Sequence, residues 1–317
     1  MYKLVTIVVL GLVLAVGIGQ SGKNSRSYVA GRFLLELDRV PVGFLAGVEG
    51  GSCYSDVIEE EVGADGVARK HISGVKFEDI TVTCSAGMSP AFYDWIQSSI
   101  AHKPLRKSGA IIAADFNYNE KSRREFTNAL ITEIAFPAMD GASKDAAYMK
   151  LKVSPEFVRT VPGSGKEVQG AALKQKKWLT SNFQFTLGNL PASRVNKVEA
   201  LTIKQKVVQD PRGGLVPGKL EYPNLTVYIP EPDAPKWYDW HDDFVIKGNN
   251  GQDAEQGGTL TYIDADLRTT LMTLGFSGVG MFKIAPDKME AGAEQIRRVK
   301  VEMYVEEMSF KGGSAAQ

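Results

Sequence analysis

The chain has 317 residues, of which 44% are hydrophobic and 23% are charged, an ordinary composition for a globular protein. Its length favours two domains, each large enough to bury a core without help from a metal or a disulfide. The 37 basic and 37 acidic residues cancel, which argues against a surface built mainly to bind a polyanion.

The first 20 residues differ from the rest of the chain. Lys3 is followed by an uncharged run at residues 4–19, in which Ala15 and Gly17 stand two apart as at a signal peptidase site. This run is short for a bilayer-spanning helix, which needs about 20 residues. We interpret residues 1–20 as an export signal, with a retained N-terminal anchor as the alternative. The protein is therefore expected in the periplasm, on the cell surface or outside the cell.

Apolar alternation in the first half predicts strands at residues 33–37, 42–48, 75–82, 110–114, 126–134 and 148–153. Between the second and third of these, residues 50–70 are rich in polar residues and turn formers, which predicts an exposed arm. Such an arm reaches a neighbour or covers a sheet edge. Ser89 and Pro90 then supply an N-cap and a first helical residue, so a short amphipathic helix is expected at residues 91–100.

The second half has the same succession of elements. Strands are predicted at residues 182–187, 220–229, 259–263, 270–276 and 299–305. A second arm is expected at residues 208–218. A second short helix opens at Pro235, with Trp237, Trp240 and Phe244 on its apolar face.

Three blocks of sequence recur in the same order. Phe92-Tyr93-Asp94-Trp95 returns 145 residues later as Trp237-Tyr238-Asp239-Trp240, and the pattern at residues 77–82 returns at 222–227. Residues 33, 41, 48 and 49 have counterparts 150 residues on. The chain is therefore interpreted as two copies of one domain, at residues 28–155 and 178–311, joined by a linker at residues 156–177.

The two helices carry the candidate structural and interface residues, which are Tyr93, Asp94, Trp95, Tyr238, Asp239 and Trp240. Aromatic residues at helical spacing usually pack onto a sheet, and this role is favoured for the two tryptophans. The tyrosines and aspartates are candidates to face a neighbour instead, because tyrosine is common in interfaces.

The only cysteines are Cys53 and Cys84, both in the first half. Export would permit a disulfide between them, and closing a loop of about 30 residues is worth roughly 3 kcal/mol. Two free thiols fit equally well, since the second half has neither cysteine.

The sequence does not assemble a catalytic or metal-binding constellation. Its three histidines, at positions 71, 102 and 241, lack the spacing of a zinc site. The run Asp115-x-Asn117-x-Asn119 begins like a calcium loop, but Glu120 stands where such a loop requires glycine. No enzyme activity, metal or cofactor is expected, and a hydrolase on a β scaffold has no supporting residues.

Residues 216–227, Val-Pro-Gly-Lys-Leu-Glu-Tyr-Pro-Asn-Leu-Thr-Val, are followed by the Trp237-Tyr238-Asp239-Trp240 helix. Together they resemble the tail tube proteins of contractile-tailed phages and related injection systems. The first half carries a weaker version at residues 73–82 and 92–95. The resemblance implies a mainly β fold with two tandem β-sandwich or half-barrel domains, each with a short flanking helix. It also implies that six such domains close a ring around a lumen and that rings stack into a tube.

Two departures shape the functional hypothesis: members of that family typically have one domain per chain, and they lack an export signal. We therefore expect an exported structural protein that associates with itself as a trimer, or in multiples of three, to form pseudo-hexameric rings. Other tube or surface components are possible partners, and no nucleic acid contact is predicted beyond a lumen. The alternative is a monomeric exported two-domain β-sandwich binding protein that uses its arms to hold a ligand.

Overall fold

A computed structural model describes residues 31–61, 63, 66–168, 178–212, 214–288 and 297–313. The proposed export signal at residues 1–20 lies outside the described residues. Among these residues, no helix is long and apolar enough to cross a membrane. Below, the first half means residues 31–168 and the second half residues 178–313.

The first half contains thirteen of the described strands and one helix. In chain order they are β1 (Arg32–Leu37), β2 (Val40–Leu45), β3 (Gly47–Gly50), β4 (Cys53–Tyr54), β5 (Val57–Glu59), β6 (Lys70–Ile72), β7 (Lys76–Phe77), β8 (Ile80–Cys84), α1 (Pro90–Ile100), β9 (Lys107–Ala114), β10 (Glu120–Phe136), β11 (Met139–Asp140), β12 (Met149–Ser154) and β13 (Phe157–Pro162).

The second half continues with β14 (Phe183–Leu187), β15 (Lys197–Val198), β16 (Leu201–Gln209), β17 (Leu215–Glu221), β18 (Leu225–Pro230), α2 (Pro235–His241), β19 (Gln256–Ile263), β20 (Thr270–Pro286) and β21 (Arg298–Gly312). A π-helical turn at Asp242–Ile246 extends α2. The protein is thus mainly β with a half-barrel sheet, which confirms the predicted fold class.

The two large sheets have matching strand orders. One sheet has the order β2-β1-β9-β10-β12-β8-β3, and the other has the order β14-β19-β20-β21-β18-β15-β11, in which β11 comes from the first half. The run β1-β9-β10-β12-β8-β3 matches the run β14-β19-β20-β21-β18-β15. The strands that correspond in sequence, such as β8 and β18 or β10 and β20, occupy corresponding places. In the first half, β12 and β13 pair with successive parts of β10. In the second half, the single long strand β21 takes the place of both and pairs with β20.

Residues 157–162, which the sequence analysis places in the linker, form β13 instead. They pair with the outer part of β10, where Arg124 lies opposite Thr160. The physical reason is the length of β10, whose 17 residues extend well past β12 and offer an open edge. Residues 169–177 of the predicted linker lie outside the described residues.

Helix α1 begins and packs as its sequence predicts. Pro90 is the first helical residue, and Phe92, Trp95 and Ile96 are buried on one face. Ser89 stands at the N-cap position, but its side chain makes no capping hydrogen bond. The indole Nε1 of Trp95 donates a hydrogen bond to the carbonyl oxygen of Leu105 at 2.8 Å. This side chain therefore fills the core while its one polar group stays satisfied.

The two halves share one core. Most buried apolar residues of both sheets, from Leu35 in β1 to Phe310 in β21, form one continuous cluster. A smaller separate cluster contains Leu34, Ala110, Ile112, Ala114 and Val168. The molecule is therefore built from two similar sheets that pack as one unit.

Candidate assembly interface

The closest join between the halves is a strand addition. β9 ends its pairing with β10 at Lys107, opposite Ala129, so the rest of that edge of β10 is open. The second half fills it with β16, which places Ile203 opposite Ile134 and Leu201 opposite Phe136. All four of these side chains are at most 2% exposed. The first sheet therefore contains a strand donated by the other half, a form of recognition by β-strand addition.

The hairpin that donates this strand is the second arm. β16 and β17 pair with each other, with Lys204 opposite Glu221. The predicted arm at residues 208–218 is the tip of this hairpin. The sequence predicts an arm that reaches a neighbour or covers a sheet edge, and here the arm covers an edge of the first sheet.

An aromatic cluster lies behind the strand addition. The ring of Phe136 stacks on Tyr262 at 6.1 Å between centroids and lies 5.9 Å from Phe310. Trp178 meets Tyr262 edge to face at 5.0 Å. Burial raises the pKa of Tyr262 far above its usual range. These residues from both halves make the interface as apolar as a domain core, a property of permanent rather than transient contacts.

Helix α1 of the first half packs on β21 of the second. The ring of Tyr93 lies 6.0 Å from that of Phe310. Gly312 lies so close that a Cβ atom there would come within 2.9 Å of Tyr93. The Tyr93 hydroxyl accepts a hydrogen bond from the backbone N–H of Gly87 at 3.2 Å, and burial raises its pKa to about 12. Tyr93 is thus a buried contact between the two halves.

A polar clamp holds the tip of the second arm. The carboxylate of Glu156 accepts the backbone N–H of Leu215 at 3.0 Å and the amide of Asn128 at 2.7 Å. Arg106 donates to the carbonyl oxygen of Leu215 and lies 3.8 Å from Glu156. The hydrogen bond from Leu215, followed by that from Asn128, lowers the pKa of Glu156. These contacts hold the tip of the arm at Leu215, while the pairing with β10 holds its base at residues 201–204.

The structure separates the predicted interface residues into two sets. In α1, Tyr93 and Trp95 are buried and Asp94 is exposed. In α2, Tyr238 is 40% exposed and Asp239 is exposed, while Trp240 is half-buried. Trp240 packs between Trp237 and Phe244, at 6.5 and 5.8 Å between centroids. Both tryptophans therefore pack inward.

The two tyrosines behave differently although they occupy the same place in the repeated motif. Tyr93 is 4% exposed because β21 covers α1, whereas Tyr238 is 40% exposed because nothing in the described chain covers that face of α2. The same motif is therefore buried in one half and open in the other.

The candidate disulfide is not formed, and both thiols are free. Cys53 lies opposite Phe77 on an exposed strand, while Cys84 is buried at the far end of β8. The near end of β8, Ile80, is four residues from Cys84, and a strand rises about 3.3 Å per residue. The two cysteines are thus well beyond the roughly 7 Å between Cα atoms that a disulfide allows. Burial raises the pKa of Cys84 to about 12.

The calcium-like run forms a hydrogen-bonded turn. Asp115 accepts the backbone N–H groups of Asn117 and Asn119, each at 2.9 Å. A hydrogen bond from Lys121 and those from Asn119 lower the pKa of Asp115 to about 2. Within the described residues, no cluster of His, Cys, Asp and Glu side chains could hold a metal ion.

Sequence reasoning missed the residues that join the halves, namely Phe136, Leu201, Ile203 and Phe310. Leu201, Ile203 and Gln205 alternate with polar residues, a period-2 signal that predicts a strand. That signal gives the strand and its inward face, but it does not identify the edge to which the strand adds.

Comparison with known proteins gives one family. Residues 29–158 match the model of the T4-like virus tail tube protein gp19 family. The resemblance inferred from sequence is thereby confirmed for the first half. No curated protein sequence matches the chain.

Two solved structures illustrate the similarity. One is a chain of the sheath–tube complex of an extracellular contractile injection system (PVC) in its extended state, 21% identical, with a TM-score of 0.39. The match covers 44% of this chain and 94% of that one. The other is a chain of the anti-feeding prophage cap, 19% identical, with a TM-score of 0.40, covering 46% of this chain and 99% of that one.

Proposed function

We propose that this chain, with a tail tube domain in residues 29–158, is an exported structural protein that assembles into pseudo-hexameric rings. Three copies, each supplying two similar domains, complete one ring, and rings stack into a tube or filament. Other tube or surface components are candidate partners at the ends or outside of the assembly.

The observation that carries this proposal is the β16–β10 strand addition. It is a head-to-tail contact, because the arm of one half meets a sheet edge of the other, and the two surfaces are different. Contacts of this kind generate closed rings when the rotation between units closes. A chain that contains one such contact internally would need the same contact between chains to continue the ring.

A tandem duplication is part of the proposal. It is supported by the repeated Tyr-Asp-Trp motif and by the matching order of strands in the two sheets. The proposed domains are residues 28–155 and 178–311, with export directed by residues 1–20. The uncharged run at residues 4–19 supports the export step.

Native mass spectrometry of the mature protein tests the stoichiometry. We expect three chains or multiples of three, and negative-stain microscopy of the same sample should show rings with an apparent sixfold outline. A stable monomer at micromolar concentration would contradict the proposal and favour the two-domain binding protein instead. A ring of six chains would contradict the pairing of two domains per chain.

A further inference from the structure

The strand registers of the two sheets show which residues of the two halves correspond. In the first sheet, Val82 lies opposite Leu151, which lies opposite Ile134. In the second sheet, Val227 lies opposite Val301, which lies opposite Ile284. Ile284 of β20 therefore occupies the place that Ile134 occupies in β10.

The edge of β20 at that place is open. β20 pairs with β19 only as far as Val279, just as β10 outruns β9. Among the described residues, 283–286 pair with β21 alone, whereas the matching residues 133–136 also pair with β16. Ile284 is partly exposed, whereas Ile134 is 2% exposed. An unpaired edge of this kind is a template for another strand.

The first half has an arm that corresponds to the donated hairpin. Tyr54 lies opposite Lys76 in the first arm, as Lys204 lies opposite Glu221 in the second. By this register Cys53 corresponds to Ile203. β4 has two residues where β16 has nine. β16 is paired on both sides, whereas within the described chain β4 pairs with β7 alone.

The first arm also exposes apolar side chains that no contact within the described chain covers. The side chains of Tyr54, Val57, Ile58, Ile72 and Val75 are between 42 and 70% exposed. These five side chains lie within one arm, and exposed apolar surface of this kind favours an interaction site.

We propose that residues 52–54 of one copy add as a strand to residues 283–285 of β20 in the next copy, repeating between chains the contact that β16 makes within the chain. Cys53 then lies opposite Ile284. This inference rests on the proposed function, and it specifies which surfaces join the copies.

Charge explains why the open edge would select the first arm rather than a second arm. Within the chain, Glu133 lies opposite Lys204, a pairing of opposite charges. At the open edge Lys283 takes the place of Glu133, and it would repel Lys204 of another copy. Like charges directly opposite each other destabilise a sheet. Tyr54, which takes the place of Lys204 in the first arm, carries no such penalty.

The helices support the same arrangement. Within the chain, the Tyr222 hydroxyl reaches the carbonyl oxygen of Ile100 at the end of α1. By the 145-residue shift, Phe77 corresponds to Tyr222, and Val245 corresponds to Ile100. The next residue, Ile246, is 69% exposed. Tyr238 is exposed on the same helix. The proposed contact would bring Phe77 of one copy toward this apolar end of α2 in the next.

A cross-link through the natural Cys53 tests the register. In directly opposed residues of an antiparallel pair the Cα atoms are about 4.5–5.5 Å apart, within the range of a disulfide. Ile284→Cys, oxidised in the assembled state, should therefore give disulfide-linked dimers and trimers on non-reducing gels. Lys283→Cys, whose side chain points to the other face of the strand, should give at least tenfold less. Ile284→Cys combined with Cys53→Ser should give none.

Thiol labelling of the unaltered protein gives a second measurement that does not depend on a substituted chain. Cys84 is buried, so Cys53 is the one accessible thiol. Maleimide should label Cys53 at least tenfold more slowly in the assembled fraction than in monomer obtained by dilution.

The outcomes separate the two proposals. Rings in which Cys53 labels as fast as in the monomer, and in which Ile284→Cys does not cross-link, would overturn this interface while leaving ring assembly intact. A protein that stays monomeric would overturn the proposed function itself. A cross-link from Lys283→Cys as strong as that from Ile284→Cys would overturn the register.

Discussion

The side chain of Phe136 offers a sharp test of whether the two halves fold as one unit. It is 1% exposed, lies opposite Leu201 in the β16 strand addition, stacks on Tyr262 and packs at a tilt against Phe310 from the second half. Truncating a buried phenylalanine to alanine costs about 3–5 kcal/mol through lost burial and the cavity left behind. Two aromatic partners place Phe136→Ala toward the upper end of that range.

The assay is urea unfolding at a fixed protein concentration, followed by tryptophan fluorescence. Trp95 reports on the first half, and Trp178 lies in the aromatic cluster itself, against Tyr262. We expect one transition for the unaltered protein, because the two halves share a continuous core. Phe136→Ala should shift the whole transition to lower urea without splitting it.

The matched control is Phe116→Ala, because Phe116 is 69% exposed. Such a surface substitution should change the free energy of unfolding by less than about 0.5 kcal/mol. The reasoning is refuted if Phe136→Ala costs less than about 1 kcal/mol. It is equally refuted if the variant unfolds in two steps of which only one has moved, since the halves would then be independent.

Two further predictions concern α2 and the polar clamp. Trp237→Ala should lower the free energy of unfolding by about 3–5 kcal/mol because its side chain is fully buried. Trp240→Ala should lower it by roughly 1–3 kcal/mol, because that side chain is half-buried. Equal losses in thermal or urea unfolding would contradict the difference in burial. The pKa of Glu156 is lowered in the folded state, so its contribution is fully present above its unfolded pKa of about 4.3 and is lost as pH falls through the folded value. Glu156→Gln should therefore lower the free energy of unfolding at pH 7 by roughly 1–2 kcal/mol. The variant should also lose less stability than the unaltered protein below about pH 4.3. If the urea midpoint of the variant has the same pH profile as that of the unaltered protein, this role for the clamp is refuted.

The local structure of this protein follows closely from its sequence. The predicted strands and both helices lie near where the period-2 and helical patterns place them, because those patterns depend only on residues a few positions apart. The strands β13 and β16 were not predicted. Pro90 at the first helical position marks the start of α1 in the same local way, although the Ser89 side chain makes no capping hydrogen bond. The recurrence of the Tyr-Asp-Trp motif likewise predicts two similar helices, since each copy carries the same aromatic spacing.

The strand partners were decided by tertiary structure. β16 adds to β10 because β9 stops at Lys107 while β10 continues to Phe136, and the length of one strand relative to another is not a local property. Backbone N–H and C=O groups, which every residue except proline carries in full, make that contact. The sequence of β16 therefore does not identify the strand with which it pairs.

The motif shared by Tyr93 and Tyr238 shows the same division most clearly. Both tyrosines occupy the same position in the same short helix, so sequence assigns them one role. Only the folded chain distinguishes them, because β21 packs over α1 and buries Tyr93, while Tyr238 remains open to a neighbour. Burial depends on what lies across the helix, and that is settled by elements more than 200 residues away along the chain.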